Sequence, residues 1–155
     1  MMKEVKTFKD LLSLLNVVKH NEDFLYVTDT FDKYCDWVIK CFYNSNCKIV
    51  MYNELGYLIC TLFDDIGKKV FFLNDVFVLP DYRGKGIGGL LVGDFIYTGA
   101  KVKADISRCS TRTLSEEFIQ RLSKQIPYEK YSLYDFHPTE EKSYEKIKQL
   151  FGGLE

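Results

Sequence analysis

A chain of 155 residues, 46% hydrophobic and 28% charged, with a formal net charge of −1, is expected to fold as one domain spanning residues 1–155. That balance offers no broad basic face, and no apolar run approaches the roughly 18 residues of a membrane span, so neither nucleic acid nor membrane is expected as a partner. The start MMKEVKTFKD carries charges where a secretion signal has its apolar stretch, and the five cysteines (Cys35, Cys41, Cys47, Cys60, Cys109) form no C-x-x-C pair, which together suggest reduced thiols, a cytoplasmic protein and no metal site.

In chain order, Thr7 is placed to cap a helix that carries Phe8, Leu11, Leu12 and Leu15 at helical spacing. DFLYVTD reads as extended. FDKYCDWVIKCFY reads as a second helix with Phe31, Tyr34, Cys35, Val38, Ile39 and Phe42 on one face. From Cys47 the period changes, and CKIVMY, YLICTLF and VFFLNDVFVL read as strands. The short turns NELG and DDIGKK join them into an antiparallel meander. A helix to about Tyr97 follows, with Gly99 as its stop. KVKADIS is expected to be a strand, SEEFIQRLSKQ a helix and EKYSLYDF a strand. A terminal helix over 138–151, containing TEEKSYEKIKQLF, has charge spacing suited to a solvated face or to a homodimer element.

The stretch PDYRGKGIGG between VFFLNDVFVL and its helix breaks a local rule, because each glycine inside a helix costs about 0.8–1 kcal/mol relative to alanine. The first amides of a helix have no internal partner, and the helix dipole makes that end positive. Glycines let a ligand approach the backbone, and Arg83 and Lys85 bracket the approach with charge, so a phosphate or pyrophosphate site is expected. The P-loop pattern is absent. G-x-G-x-x-G is present at Gly84, Gly86 and Gly89, but the residues Pro80 to Arg83 intervene and the strand ends a meander rather than opening a parallel βαβ unit. A merely tight strand-to-helix turn would explain the glycines but not Arg83.

Val78, Pro80, Arg83, Gly86 and Gly88 spell V-x-P-x-x-R-x-x-G-x-G, which closely resembles the acyl-CoA signature of the GNAT superfamily of N-acetyltransferases. NDVFVLPDYRGKGIG is most similar to the corresponding stretch of polyamine and aminoglycoside 3-N-acetyltransferases, and the order of elements resembles theirs from Cys47 to Phe136. The resemblance implies an α/β (α+β) architecture, the GNAT acyl-CoA N-acyltransferase fold, with a mixed, mostly antiparallel sheet flanked by helices. Residues 1–45 would supply a variable first strand and two helices, and 47–136 the motif-bearing core. The sheet would splay between its fourth and fifth strands to admit the pantetheine arm of acetyl-CoA, the implied cosubstrate. Backbone at Phe77 and Val78 would pair with that arm, and Arg83 with the amides of Gly84, Lys85, Gly86, Ile87 and Gly88 would hold the pyrophosphate. Gly86 and Gly88 would clear space for the ligand, and Gly89 and Gly93 would allow close helix packing.

VFFLNDVFVL is apolar on both parities except at Asn74 and Asp75 and so reads as buried on both faces. An amine acceptor with a pKa near 10.4 is almost wholly protonated at pH 7 and needs a base before it can attack a thioester. By the resemblance, Asp75 aligns with the strand carboxylate proposed as base in aminoglycoside relatives, while Asn74 stands where polyamine relatives carry a glutamate. The residues alone leave a second reading open, in which Asp75 is a structural acid paired with an amide or a basic side chain. Ile119, in FIQRLSK, stands where many relatives carry a tyrosine that acts as general acid, and STRTLS lacks an asparagine often found there. A thiol pKa of about 8.5 means the leaving thiolate needs little help, and water, Ser110, Tyr128 or Tyr131 remain to protonate it. His20 and His137 are isolated and read as surface or capping residues, and Glu54, Asp64 and Asp65 as solvated turn acids. The expected activity is direct transfer of acetyl to an amine, a small molecule in the first instance. The alternatives are a protein lysine or N-terminus, and a non-catalytic CoA-binding or structural protein.

Overall fold

Thr7 begins the first long helix through a reciprocal cap: its hydroxyl accepts the Asp10 amide at 3.1 Å, and the Asp10 carboxylate accepts the Thr7 amide at 3.1 Å. The computed structural model describes residues 1–110, 120, 128–130 and 133–137. Helix α1 spans Phe8–Val18 and buries Leu11, Leu14, Val17 and Val18, while Phe8 and Leu12 face outward. The segment expected to be extended is instead a single 3-10 turn, Phe24–Tyr26. Its ring at Phe24 packs edge-on against Phe31 and beside Tyr34, so aromatic burial against the second helix curls this segment instead of extending it. Helix α2 spans Phe31–Tyr43, as its spacing predicts, and the Thr30 hydroxyl caps it by accepting the Lys33 amide at 3.2 Å.

Among the described residues the sheet has seven strands. A short edge strand β1 (Met2–Glu4) precedes the meander β2 (Cys47–Tyr52), β3 (Gly56–Asp65) and β4 (Lys68–Val78). After helix α3 (Ile87–Lys101) come β5 (Ile106–Ser110), β6 (Tyr128–Lys130) and β7 (Leu133–Phe136). The spatial order is β1-β2-β3-β4-β5-β7-β6, and every neighbouring pair is antiparallel except β4–β5. Helices α1 and α2 cover one face over a core that includes Leu14, Val38, Ile49, Tyr57 and Phe77. Helix α3 covers the other over Leu58, Leu73, Leu91, Phe95 and Ile96. Among the described residues no helix is long and apolar enough to cross a membrane.

Four further expectations need correction. Gly99 does not stop its helix; it lies inside α3, where an added Cβ would sit 2.2 Å from Ser107 Oγ. The glycine is a close-packing position against β5, and the helix ends only past Lys101, where Lys103 turns to φ 56. KVKADIS therefore contributes a strand only from Ile106, since its first residues close the helix. EKYSLYDF is not one strand: β6 and β7 pair antiparallel, with Tyr128 opposite Phe136. Asp65 is also no free turn acid, because Arg108 Nη1 reaches its carboxylate at 3.0 Å while Nε binds Asp135 at 2.8 Å. TEEKSYEKIKQLF lies outside the described residues, as does SEEFIQRLSKQ apart from Gln120, which is helical.

Candidate active site

The opening in the sheet follows from register. β4 pairs with β5 only through Val70–Ile106, Phe71–Ser107 and Phe72–Arg108. From Leu73 to Val78 it continues to pair with β3 but has no partner on the β5 side among the described residues. The two parallel strands thus fork, leaving one backbone edge of β4 unpaired along its last residues.

At the open end of β4, Pro80–Tyr82 form one 3-10 turn and the chain then enters α3 through two left-handed glycines. Gly84 has φ +78 and Gly86 φ +87, conformations that suit glycine. A Cβ built at either would meet nothing within 4 Å, so both positions look onto open space. The first bond that closes the helix runs from the Leu90 amide to the Gly86 carbonyl at 3.0 Å. Among the described residues the amides from Gly84 to Gly89 have no acceptor, which leaves a row of donors at the positive end of a 15-residue helix. Lys85 lies over the Tyr82 ring at 5.3 Å. Arg83 folds back: its Nε donates to the Val78 carbonyl at 2.9 Å, its guanidinium lies 5.5 Å from the centre of the Phe77 ring, and Nη2 is 3.7 Å from Asp23.

Just above the fork, β4 carries one residue too many. Ile59 pairs with Asp75 and Cys60 with Leu73, so Asn74 is a β-bulge. The bulge explains why alternation could not assign faces. Before it Phe71 and Leu73 point to α3; after it Val76 and Val78 do, and Phe77 points to α1 and α2. Both polar residues consequently project to the α1–α2 side. Asn74 Oδ1 accepts the Thr61 hydroxyl at 2.6 Å. Asp75 Oδ2 accepts the Tyr34 hydroxyl at 2.5 Å, with Asn21 Nδ2 at 3.5 Å. Tyr34 and Tyr57 join hydroxyl to hydroxyl at 2.5 Å, and Asn21 Nδ2 lies 2.7 Å from the Tyr57 oxygen.

These partners are neutral. Burial pushes the Asp75 carboxyl up to about 6; the Tyr34 hydroxyl, the Val76 amide and Asn21 pull against it, and the charge of Asp23 adds to the rise. Burial, reinforced by the Asp75 charge, pushes both tyrosine hydroxyls well above their ordinary range, so both keep their protons. No cationic side chain among the described residues pairs with Asp75, whereas the Val76 amide does bond its carboxylate, so of the two partners a structural acid could use the amide is present and the basic side chain is not.

The profile of the acetyltransferase (GNAT) family matches residues 9–113, well over half of the chain. The chain belongs to the GNAT acetyltransferase family. No curated protein sequence matches it, but solved structures share the GNAT fold. One is a GNAT family acetyltransferase from Brucella melitensis in complex with acetyl-CoA, at 17% identity and TM-score 0.61, covering 88% of this chain and 86% of that one. Another is the aminoglycoside antibiotic 6'-N-acetyltransferase AAC(6')-IG from Acinetobacter haemolyticus, at 13% identity and TM-score 0.58, covering 84% and 91%. A third is AAC(6')-Iy with the bisubstrate analogue CoA-S-monomethyl-acetylneamine, at 15% identity and TM-score 0.56, covering 80% and 88%.

In this GNAT chain the expected site residues fall along one path, from Asn74 and Asp75 through Phe77 and Val78 to Arg83 and the Gly84–Gly88 turn. Ile119 and Tyr131 lie outside the described residues, and Tyr128 is described only as part of β6. Asn21, Tyr34 and Tyr57 were not singled out by sequence reasoning as site residues. A signal existed: Tyr34 sits on the apolar face of α2, and a tyrosine hydroxyl at a core-facing position must find a partner.

Proposed function

We propose that the chain transfers acetyl from acetyl-CoA directly to the amine of a small molecule. The observation that carries the reading is Asp75: a carboxylate at the fork, raised toward neutrality, held by neutral groups and unpaired with any cation among the described residues. The cradle fits the cosubstrate, since the two glycines face open space and the amides beside them lack acceptors. Arg83, Lys85 and the amides from Gly84 to Gly88 would hold the pyrophosphate, and the unpaired edge of β4 near Phe77 and Val78 the pantetheine arm. A small amine acceptor is supported by solved relatives named as aminoglycoside acetyltransferases.

Bound acetyl-CoA supplies an acetyl thioester. Asp75 takes a proton from the acceptor's ammonium, breaking an N–H bond and forming an O–H bond on the carboxyl. The freed lone pair makes the C–N bond to the acetyl carbon as the C–S bond breaks. The nitrogen's surplus proton leaves to water, the leaving thiolate takes a proton from water to become the thiol, and Asp75 returns its proton to water, so one proton is released per transfer. Transfer is direct, without an acetyl-enzyme: no cysteine or serine shows an activating base in the sequence, and burial raises the thiols of Cys41 and Cys109 to about 12, far from a nucleophile's range. The test is an acetyl-CoA consumption screen over amines and peptides, with acetyl-CoA binding measured by calorimetry in parallel. Turnover with small amines is expected. Binding without turnover of any acceptor would remove the transferase reading, and turnover confined to peptides would remove the small-molecule acceptor.

A further inference from the structure

Asp75 meets the side chains of its network through a single oxygen, while the Val76 amide also bonds its carboxylate. A carboxylate has no hydrogen to give, so the Tyr34 hydroxyl at 2.5 Å donates to Oδ2. The Tyr34 oxygen is then left as an acceptor, and the Tyr57 hydroxyl supplies it with a hydrogen. Tyr57 in turn accepts one Asn21 Nδ2 hydrogen at 2.7 Å. The other Nδ2 hydrogen lies between the Tyr34 oxygen at 3.1 Å and Asp75 Oδ2 at 3.5 Å. The amide orientation is fixed from behind, because Asn21 Oδ1 accepts the Asp23 amide at 2.8 Å. Every hydrogen in the chain thus runs toward Oδ2. The three donors are sealed from solvent, with Tyr34 and Tyr57 0% and Asn21 3% exposed, whereas Asp75 keeps part of its surface. Asp75 Oδ1 has no side-chain partner among the described residues.

Resting on the reading of Asp75 as base, we propose that Tyr34 is its positioning residue: backed by Tyr57 and Asn21, it commits Oδ2 to the protein and leaves Oδ1 to receive the substrate's proton. A proton placed on Oδ2 would leave the Tyr34 hydroxyl with a much poorer acceptor in a dry site, which is costly. The same bond favours the ionised carboxylate and opposes the rise that burial imposes. The other groups bearing on this balance are Cys35 on α2 near Tyr57, Asp23 after α1 with Arg83 beside it, and the Val76 amide on β4.

The test follows the Asp75 carboxyl carbon by NMR in the full chain labelled with carbon-13 aspartate, alongside kcat/KM against pH. Tyr34→Phe removes one hydroxyl and keeps the ring. It should raise the carboxyl's titration midpoint by about 1 to 2 pH units. The acid limb of kcat/KM should move with it, so that activity lost near pH 6 returns at higher pH. An unmoved midpoint in the folded variant overturns the proposal, as does a loss of activity that is uniform across pH. A midpoint that moves while the kinetic limb stays put keeps Tyr34's hold on the carboxylate and overturns the base role of Asp75 instead. If Tyr34→Phe does not fold, Tyr57→Phe leaves the direct donor in place and should shift the midpoint upward by a smaller amount; no shift there overturns the proposal equally.

Discussion

In the proposed cradle between Arg83 and Gly88 the available donors are mostly main-chain amides drawn from consecutive residues, whereas the side chains around Asp75 come from positions as much as 54 residues apart. The first arrangement depends on backbone conformation and is indifferent to most side chains that leave φ alone. The second depends on single atoms, a hydroxyl here and an amide there, held by four segments that meet only in the folded state. One end of the site should therefore fail through geometry and the other through titration.

The largest effect expected at the titrating end is from Asp75→Asn, which keeps shape and removes the base. It should lower kcat/KM by about 10²–10⁴-fold and leave acetyl-CoA affinity unchanged. Stability gives an independent reading. The folded-state pKa of Asp75, about 6, lies above the reference 3.8, so the fold holds that proton more tightly. Its contribution is fully present below pH 3.8 and is lost as pH rises through 6, leaving the ionised carboxylate a cost at neutral pH. The Tm of Asp75→Asn at pH 7.5 should then match or exceed that of the parent. A clear drop in Tm, with activity per folded molecule retained, would return Asp75 to a structural role.

The wild-type pH profile comes next. Activity needs the carboxylate, so kcat/KM should be half-maximal near pH 6 and fall about tenfold per unit below it. A profile flat from pH 5 to 8 would break the contrast between the two ends.

At the geometric end, Gly86→Val forces a β-branched residue into φ +87 and projects its side chain into the cradle. Acetyl-CoA binding should weaken by about 1–3 kcal/mol in calorimetry, with the acid limb of the pH profile unmoved. The smallest effect is expected from Arg83→Ala. A charge-assisted contact is worth about 1.5–3 kcal/mol, but Arg83 already bonds the Val78 carbonyl and neighbours Asp23, so the net loss in affinity should fall below that range. A loss above 3 kcal/mol, read by the same calorimetry, would mean the inward contacts count for nothing.

Legibility in the sequence followed the same divide. Turn, glycines and Arg83 are contiguous, so one window of residues displayed the proposed cradle, α2 was plain from its period, and the three meander strands from their apolar runs and the short turns between them. Gly99 misled because a glycine near a helix end is usually a cap, and only the packed structure shows Ser107 against it. The face of Asp75 was hidden because a single extra residue, Asn74, reverses parity in mid-strand, and no period survives that. Tyr34 showed in the sequence only as part of the apolar face of α2, since sequence displays a hydroxyl but not the carboxylate 41 residues away that it serves.

The fork has one more consequence. A strand edge with unpaired amides and carbonyls is a template onto which another chain can add, and folds ordinarily blunt such edges with charge, a bulge or a covering element. Here β4 presents such an edge beyond Phe72, but within the sheet rather than at its margin. The bulge at Asn74 bends the strand, α3 packs over one face of it, and Arg83 Nε bonds the Val78 carbonyl near its far end. Where the proposed ligand arm would lie along β4, these same features would hinder a foreign β-strand from adding.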